Sequence, residues 1–273
     1  MPHLSQLLKR VITAAVLVAV LLILFFALPV QAATLALGAF LLAAAWEWAG
    51  FAGFSRVRQR FAYVAVFALL AVLIAVATPV YLPPRPVLAA SLLWWVVAAG
   101  LVMRYPLVVP PAVTAVCGAC VLLPAWLGLL LLMRDPRAGP GVVLYLFGIV
   151  WAADVGAYFV GRRIGRVRLA PRVSPGKTWE GALGGLAAAL LVTAAGGVWL
   201  GLPLAVMLPA GLAIALMSIL GDLTVSLFKR NAGLKDSGHL FPGHGGVLDR
   251  IDGVTAAVPL FALFGGWLQL LSL

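Results

Sequence analysis

A chain of 273 residues that is 64% hydrophobic and only 10% charged, with a mean hydropathy of +1.13, cannot be a water-soluble globule and reads as an integral membrane protein. The formal net charge of +11 raises nucleic acid as a partner, but the bases gather on one side of a membrane topology, which removes that reading. Two cysteines are too few for a disulfide scaffold.

A helix that crosses the hydrocarbon layer takes about 20 apolar residues. The sequence predicts nine such spans, at 11–28, 34–54, 61–78, 86–103, 107–133, 142–160, 181–200, 202–225 and 254–271. The connections are short and leave no room for a soluble domain. The expected fold is an all-α polytopic bundle, with N-terminal membrane helices over 1–140 and a catalytic membrane region over 141–273. Ahead of the first span stand Lys9 and Arg10, and after it Val30-Gln31-Ala32, an arrangement similar to a secretory signal with its cleavage site. The apolar run is long enough to span, so it reads as an uncleaved anchor. With the N-terminus inside, every base except Arg85, Arg134 and Arg137 falls on the cytoplasmic side, the bias that orients membrane proteins and favours anionic lipid.

In the second span Glu47 sits between Trp46 and Trp48. A carboxylate within a span is a functional candidate by default, and pairing with Arg56, Arg58 or Arg60 is an equal alternative. Pro110, Pro111 and Pro124 predict kinks around the fifth span. Cys117 and Cys120 lie in that apolar run with no cation or histidine nearby, so they read as small packing residues. Asp154 lies six residues before the end of the sixth span, about 9 Å below the inner surface, and should face a polar cavity. Ser174-Pro175 reads as a helix N-cap with proline at the first helical position, opening the seventh span. Lys177 would then stand at a helix N-terminus, a ready site for phosphate. Gly176-Lys177-Thr178 is not a P-loop, because Pro171 stands where its first glycine belongs.

The eighth span ends with Asp222, Ser226 and Lys229-Arg230 spaced to share one helical face. From Ser226 to Asp252 the chain changes character, with two of the three histidines and five glycines set among acids and bases. Asp222, Asp236, Asp249 and Asp252 offer hard oxygen ligands of the kind Mg²⁺ takes together with substrate phosphates. Lys229, Arg230, Lys235 and Arg250 can neutralise phosphate oxygens. Gly243-His244-Gly245-Gly246 can turn successive backbone N–H groups toward an anion. A basic loop touching lipid headgroups would explain the bases but not the acids or the glycines.

The pattern S-x-x-K-R at 226–230, K-D-S-G at 235–238 and P-G-H-G-G-x-x-D-R-x-D at 242–252 resembles the signature of the phosphatidate cytidylyltransferase family, the CDP-diacylglycerol synthases. Asp154-x-Gly156-Ala157-Tyr158 and Ser174 to Gly181 resemble that family too, so the likeness covers roughly 150–255. It implies that CTP and phosphatidate give CDP-diacylglycerol and pyrophosphate on Mg²⁺, in the bacterial inner membrane, with the site on the cytoplasmic side. A polar cavity there would be walled by the ends of spans six to eight and the start of the ninth. The resemblance further implies Asp222 and Asp249 as the metal pair, with Asp252 and Asp236 as supporting carboxylates. Lys229, Arg230, Lys235 and Arg250 would hold phosphates, and His244 with Gly245 and Gly246 would turn around the triphosphate. Ser174, Lys177 and Ser226 are further substrate contacts, and Asp154 would line the cavity. A second cation and a homodimer are compatible with this reading. A CTP-dependent lipid kinase acting on a polyprenol-type hydroxyl, and a non-enzymatic transporter of anionic lipid, are the alternatives.

Overall fold

A computed structural model of the chain describes residues 16, 18–78, 81–135, 139–241 and 245–267. Residues 18–26 are helical, and eight long helices follow: α1 (Val30–Phe51), α2 (Val57–Ala77), α3 (Pro84–Arg104), α4 (Pro111–Arg134), α5 (Gly139–Ile164), α6 (Trp179–Trp199), α7 (Leu204–Asn231) and α8 (Leu248–Trp267). Between α5 and α6 runs a small hairpin, β1 (Arg168–Ala170) and β2 (Ser174–Thr178). Among the described residues, α1 to α7 are long and apolar enough to cross a membrane. The chain is thus a multi-pass membrane protein with an all-α core. The expected first and ninth spans both run partly outside the described residues.

Local chemistry explains the ends of these helices. Pro84 and Pro111 open α3 and α4, where a missing N–H costs nothing. Arg104, Arg134, Arg162 and Arg163, and Lys229 and Arg230 fall in last turns, where the helix dipole favours cations. The flank of α2 exposes Phe61, Val66, Leu69, Val72 and Val76, as a lipid-facing helix should. By contrast α4 is central, burying Val121, Leu122, Leu127 and Leu132 in one apolar core with Ala256, Val258 and Ala262 of α8. Trp48 of α1 donates from its indole N–H to the Thr114 carbonyl (2.7 Å) and rests on Phe228 of α7, with 5.1 Å between ring centroids. Asn231, the last residue of α7, exchanges two hydrogen bonds with the backbone of Val109 (3.0 and 3.1 Å), pinning the α3–α4 connection. Cys117 is buried and Cys120 half-buried, both unbridged, as packing residues.

Glycines bring the later helices together. A methyl group at Gly156 would meet the Gly184 carbonyl and Ala188; one at Gly185 would meet the Ala153 carbonyl; one at Gly181 would meet the Ala157 carbonyl. So α5 and α6 pack backbone to backbone, the small-residue packing that membrane helices use. Likewise Gly221 of α7 lies against the backbone of Asp252 in α8.

Three expectations change. Ser174-Pro175 does not cap a helix. It lies on β2, where Ala170 pairs with Ser174 and Arg168 with Thr178. Thr178 is the cap: its hydroxyl oxygen accepts from the Gly181 N–H (3.1 Å), and Glu180 in the first turn accepts from the Arg166 and Val167 N–H groups (3.1 and 3.2 Å). Lys177 therefore sits at the end of a strand, not on a helix N-terminus. Second, α5 runs on to Ile164, so Asp154 stands ten residues from its end rather than six. Third, α7 runs past the expected end at 225 to Asn231, keeping Lys229 and Arg230 on the helical face expected of them, and α8 starts at Leu248 rather than 254, so Asp249, Arg250 and Asp252 are helical too.

Candidate active site

Four segments converge at one end of the bundle: Asp154 from α5, Lys177 from the hairpin, Asp222 to Lys229 from α7, and Asp249 to Asp252 from α8. The Lys177 ammonium meets Asp222 Oδ2 at 2.5 Å, and Ser226 donates to Asp222 Oδ1 at 3.1 Å. The spacing of four residues on α7 sets that second contact. Burial opposes the charge on Lys177, but the Asp222 carboxylate more than offsets it, so the ammonium holds its proton more firmly than a free lysine. Lys229, 8% exposed, meets Asp249 Oδ1 at 2.6 Å. The other oxygen of Asp249 accepts from the Ser237 N–H (2.8 Å), the Ser237 hydroxyl (2.9 Å) and the Gly246 N–H (3.0 Å).

Asp252 lies near enough to Asp222 and Asp154 to feel both charges, and Lys177 and Lys229 act on it in turn. Arg250 acts on Asp154. The close approach at Gly221 explains why Asp222 and Asp252 become neighbours despite their separation in sequence. The result is an alternating cluster of carboxylates and ammonium groups, with acids in excess. Among the described residues, no three of His, Cys, Asp or Glu gather closely enough to hold a metal ion by themselves.

The remaining expected residues stand apart from this cluster or brace it. The Arg230 guanidinium donates to the Val173 and Leu234 carbonyls (3.3 and 3.2 Å), joining the hairpin turn to the loop after α7. Lys235 and Asp236 are exposed, and Ser174 is half-buried on β2. His244 lies outside the described residues. Gly245 has φ +79°, a conformation only glycine adopts freely, and its carbonyl accepts from the Phe241 N–H (2.9 Å). The Gly246 N–H, expected to turn toward the triphosphate, donates to the Asp249 carboxylate.

One residue enters the site from far away. Glu47 of α1 pairs with none of Arg56, Arg58 and Arg60. Its Oε1 accepts from the Val247 N–H (2.8 Å), and its Oε2 accepts from the Leu248 N–H (2.9 Å) and the Ser237 hydroxyl (2.8 Å). The lone acid between two tryptophans was the only sign of it in the sequence. Beside it opens a cavity of about 400 Å³, lined by Trp46, Glu47 and Arg60 on one side and Ser237 and His239 on the other. This cavity lies against α1 and α2 and is distinct from the one expected at the ends of spans six to eight.

The model of the cytidylyltransferase family matches residues 8–268. Phosphatidate cytidylyltransferase of Pseudomonas aeruginosa is 46% identical over 271 residues, spanning 95% of this chain and 98% of its own length. That of Haemophilus influenzae is 38% identical over 280 residues, with 94% and 97% covered. That of Brucella suis is 49% identical over 147 residues, about half of each chain (51% and 52%).

Proposed function

This chain belongs to the cytidylyltransferase family, and on that premise we propose that it joins CTP to phosphatidate, releasing pyrophosphate and leaving CDP-diacylglycerol in the bilayer. The observation that carries the proposal is the paired cluster of Lys177 with Asp222 and Lys229 with Asp249, found in a chain that matches two such enzymes over 95% and 94% of its length. Both lysines are fixed by carboxylates at 2.5 and 2.6 Å, so the groups that meet phosphate are oriented before substrate arrives. Arg250 adds a third positive charge on the same side, through its neighbour Asp154.

The donor set fits Mg²⁺, which takes one or two carboxylates and leaves its other positions to phosphates and water. One or two of Asp222, Asp249 and Asp252 would hold it, with substrate phosphates completing its shell. The excess of acids over ammonium groups around Asp222 is the feature that suits a cation there. When bound, the ion would draw negative charge from the phosphates being joined and separated.

The lipid phosphate supplies the attacking oxygen. A new P–O bond forms at the α-phosphorus of CTP as the bond to pyrophosphate breaks. No side chain has to act as nucleophile, and the residues of the cluster position and neutralise. The site would face the cytoplasm of a bacterial inner membrane, where CTP is found and where the bases of Arg162 to Arg172 and Lys229 to Lys235 gather.

Purified protein incubated with phosphatidate, labelled CTP and Mg²⁺ should yield labelled CDP-lipid and pyrophosphate. With lipid omitted, labelled pyrophosphate should not exchange into CTP. Phosphorylated lipid with CDP would make the protein a kinase, and absence of nucleotide turnover would favour transport. For the topology, a single cysteine at exposed Leu234, in a background lacking Cys117 and Cys120, should resist impermeant thiol reagents in intact cells. Labelling without permeabilisation would invert the orientation and with it the source of CTP.

A further inference from the structure

We propose that Glu47 is a positioning residue for the reaction, acting on Asp249 through Ser237 and the turn that opens α8; this rests on the cytidylyltransferase reading above. Glu47 is a buried carboxylate on α1, 8% exposed, and its described hydrogen-bond partners all belong to the stretch 237–248. Two of them are backbone N–H groups at the start of α8. The first N–H groups of a helix have no partner within it and carry the positive end of its dipole. Glu47 therefore serves α8 as a cap supplied by another helix.

Ser237 links that cap to the chemistry. Its hydroxyl stands 2.8 Å from Glu47 Oε2 and 2.9 Å from Asp249 Oδ2, while its backbone N–H already serves Asp249 at 2.8 Å. A hydroxyl has a single hydrogen to give. That one hydrogen lies between the two carboxylates, given to Glu47 or shared with Asp249, which the backbone N–H covers in either case. Asp249 in turn holds Lys229. The link thus runs Glu47, Ser237, Asp249, Lys229, from α1 into the cluster.

Two glycines of the signature agree with this. A methyl group at Gly238 or at Gly246 would collide with the Glu47 carboxylate. Both positions are open because that carboxylate has to reach the backbone. Glu47 touches no member of the paired cluster except through Ser237 and the turn, which makes it positioning rather than catalytic.

The test compares Glu47→Gln, Ser237→Ala and the double variant with the wild-type protein in detergent. The amide in Glu47→Gln keeps the shape but replaces one acceptor oxygen with a donor, which in either orientation faces a backbone N–H, that of Val247 or that of Leu248. Amide hydrogen exchange over 245–248 should rise at least about tenfold in Glu47→Gln, with α4 unchanged. The kcat should fall about 10- to 100-fold, the range typical for groups that orient ligand-bearing residues, while the KM for CTP moves far less. The double variant should lose little more than Glu47→Gln alone, because both act along one link. Glu47→Asp, which keeps the charge one methylene shorter, should recover part of the kcat, and it takes the place of Glu47→Gln if the latter does not fold. Unchanged exchange over 245–248, or a double variant whose loss is the product of the two single losses, overturns the proposal. The exchange result stands even if the wild-type protein forms no CDP-lipid, an outcome that would overturn the parent reading alone.

Discussion

Asparagine in place of Asp249 should lower turnover at least about 100-fold, the scale seen when one preorganised polar group is lost from an active site. The side chain keeps its size, so packing is not the cause. The loss is electrostatic and double. Asp249 Oδ1 is the partner of the Lys229 ammonium at 2.6 Å, and Oδ2 accepts from the Ser237 and Gly246 N–H groups, with the Ser237 hydroxyl also within reach. An asparagine has one carbonyl oxygen and one NH₂ group, so it can face the ammonium or the donors, never both. The proposed metal would lose a charged ligand as well. The measurement is kcat on purified protein with the folded fraction counted. Arg168→Gln, on the exposed start of β1, is the control and should stay near wild type. Near-normal turnover by the Asp249 variant would remove this residue from the site.

Lys229→Met should cost about 3–5 kcal/mol of stability, the usual result of removing one member of a buried ion pair, and should abolish most activity. Methionine fills a similar volume, but Asp249 then faces an apolar chain with its charge unmatched, and Asp222 loses a nearby positive charge. Adding Asp249→Asn to Lys229→Met should return much of the lost stability, because no uncompensated charge remains. It should return no activity. Thermal unfolding in detergent separates the two effects. A double variant no more stable than Lys229→Met alone would show that the pair is not the source of the loss.

The sequence made the spans legible because apolar runs of the right length have one outcome in a bilayer. The signature acids and bases were also legible as a group, since charges this dense in so apolar a chain need partners. Partner identity was not. Lys177 with Asp222 and Lys229 with Asp249 are pairings across 45 and 20 residues, fixed by how α7 meets the hairpin and α8. The hairpin was missed because Ser-Pro imitates a helix start, whereas Thr178 and Glu180 do the capping work a few residues later. Glu47 was legible as an isolated acid. Its attachment to Val247 and Leu248, some 200 residues on, depends on Trp48 packing against Phe228, which spacing along the chain does not encode.

The seam where α5 meets α6 has a consequence for the gauge of the site. Asp154 on α5 and Lys177, on the strand that leads into α6, are held apart by a seam where Gly156, Gly181 and Gly185 each lie against the main chain of the other helix. At those three contacts the nearest side chains across the seam are the methyl groups of Ala157 and Ala188, which leave little to lengthen or trim. The gap at the headgroup end is therefore a fixed caliper, insensitive to the ordinary drift of residue volumes, and it can widen only if one arm tilts and carries its polar residue along. Variety in the fatty chains of a lipid substrate has to be absorbed elsewhere, along the pliant apolar flanks, while the jaws of the caliper measure the one part every such lipid shares.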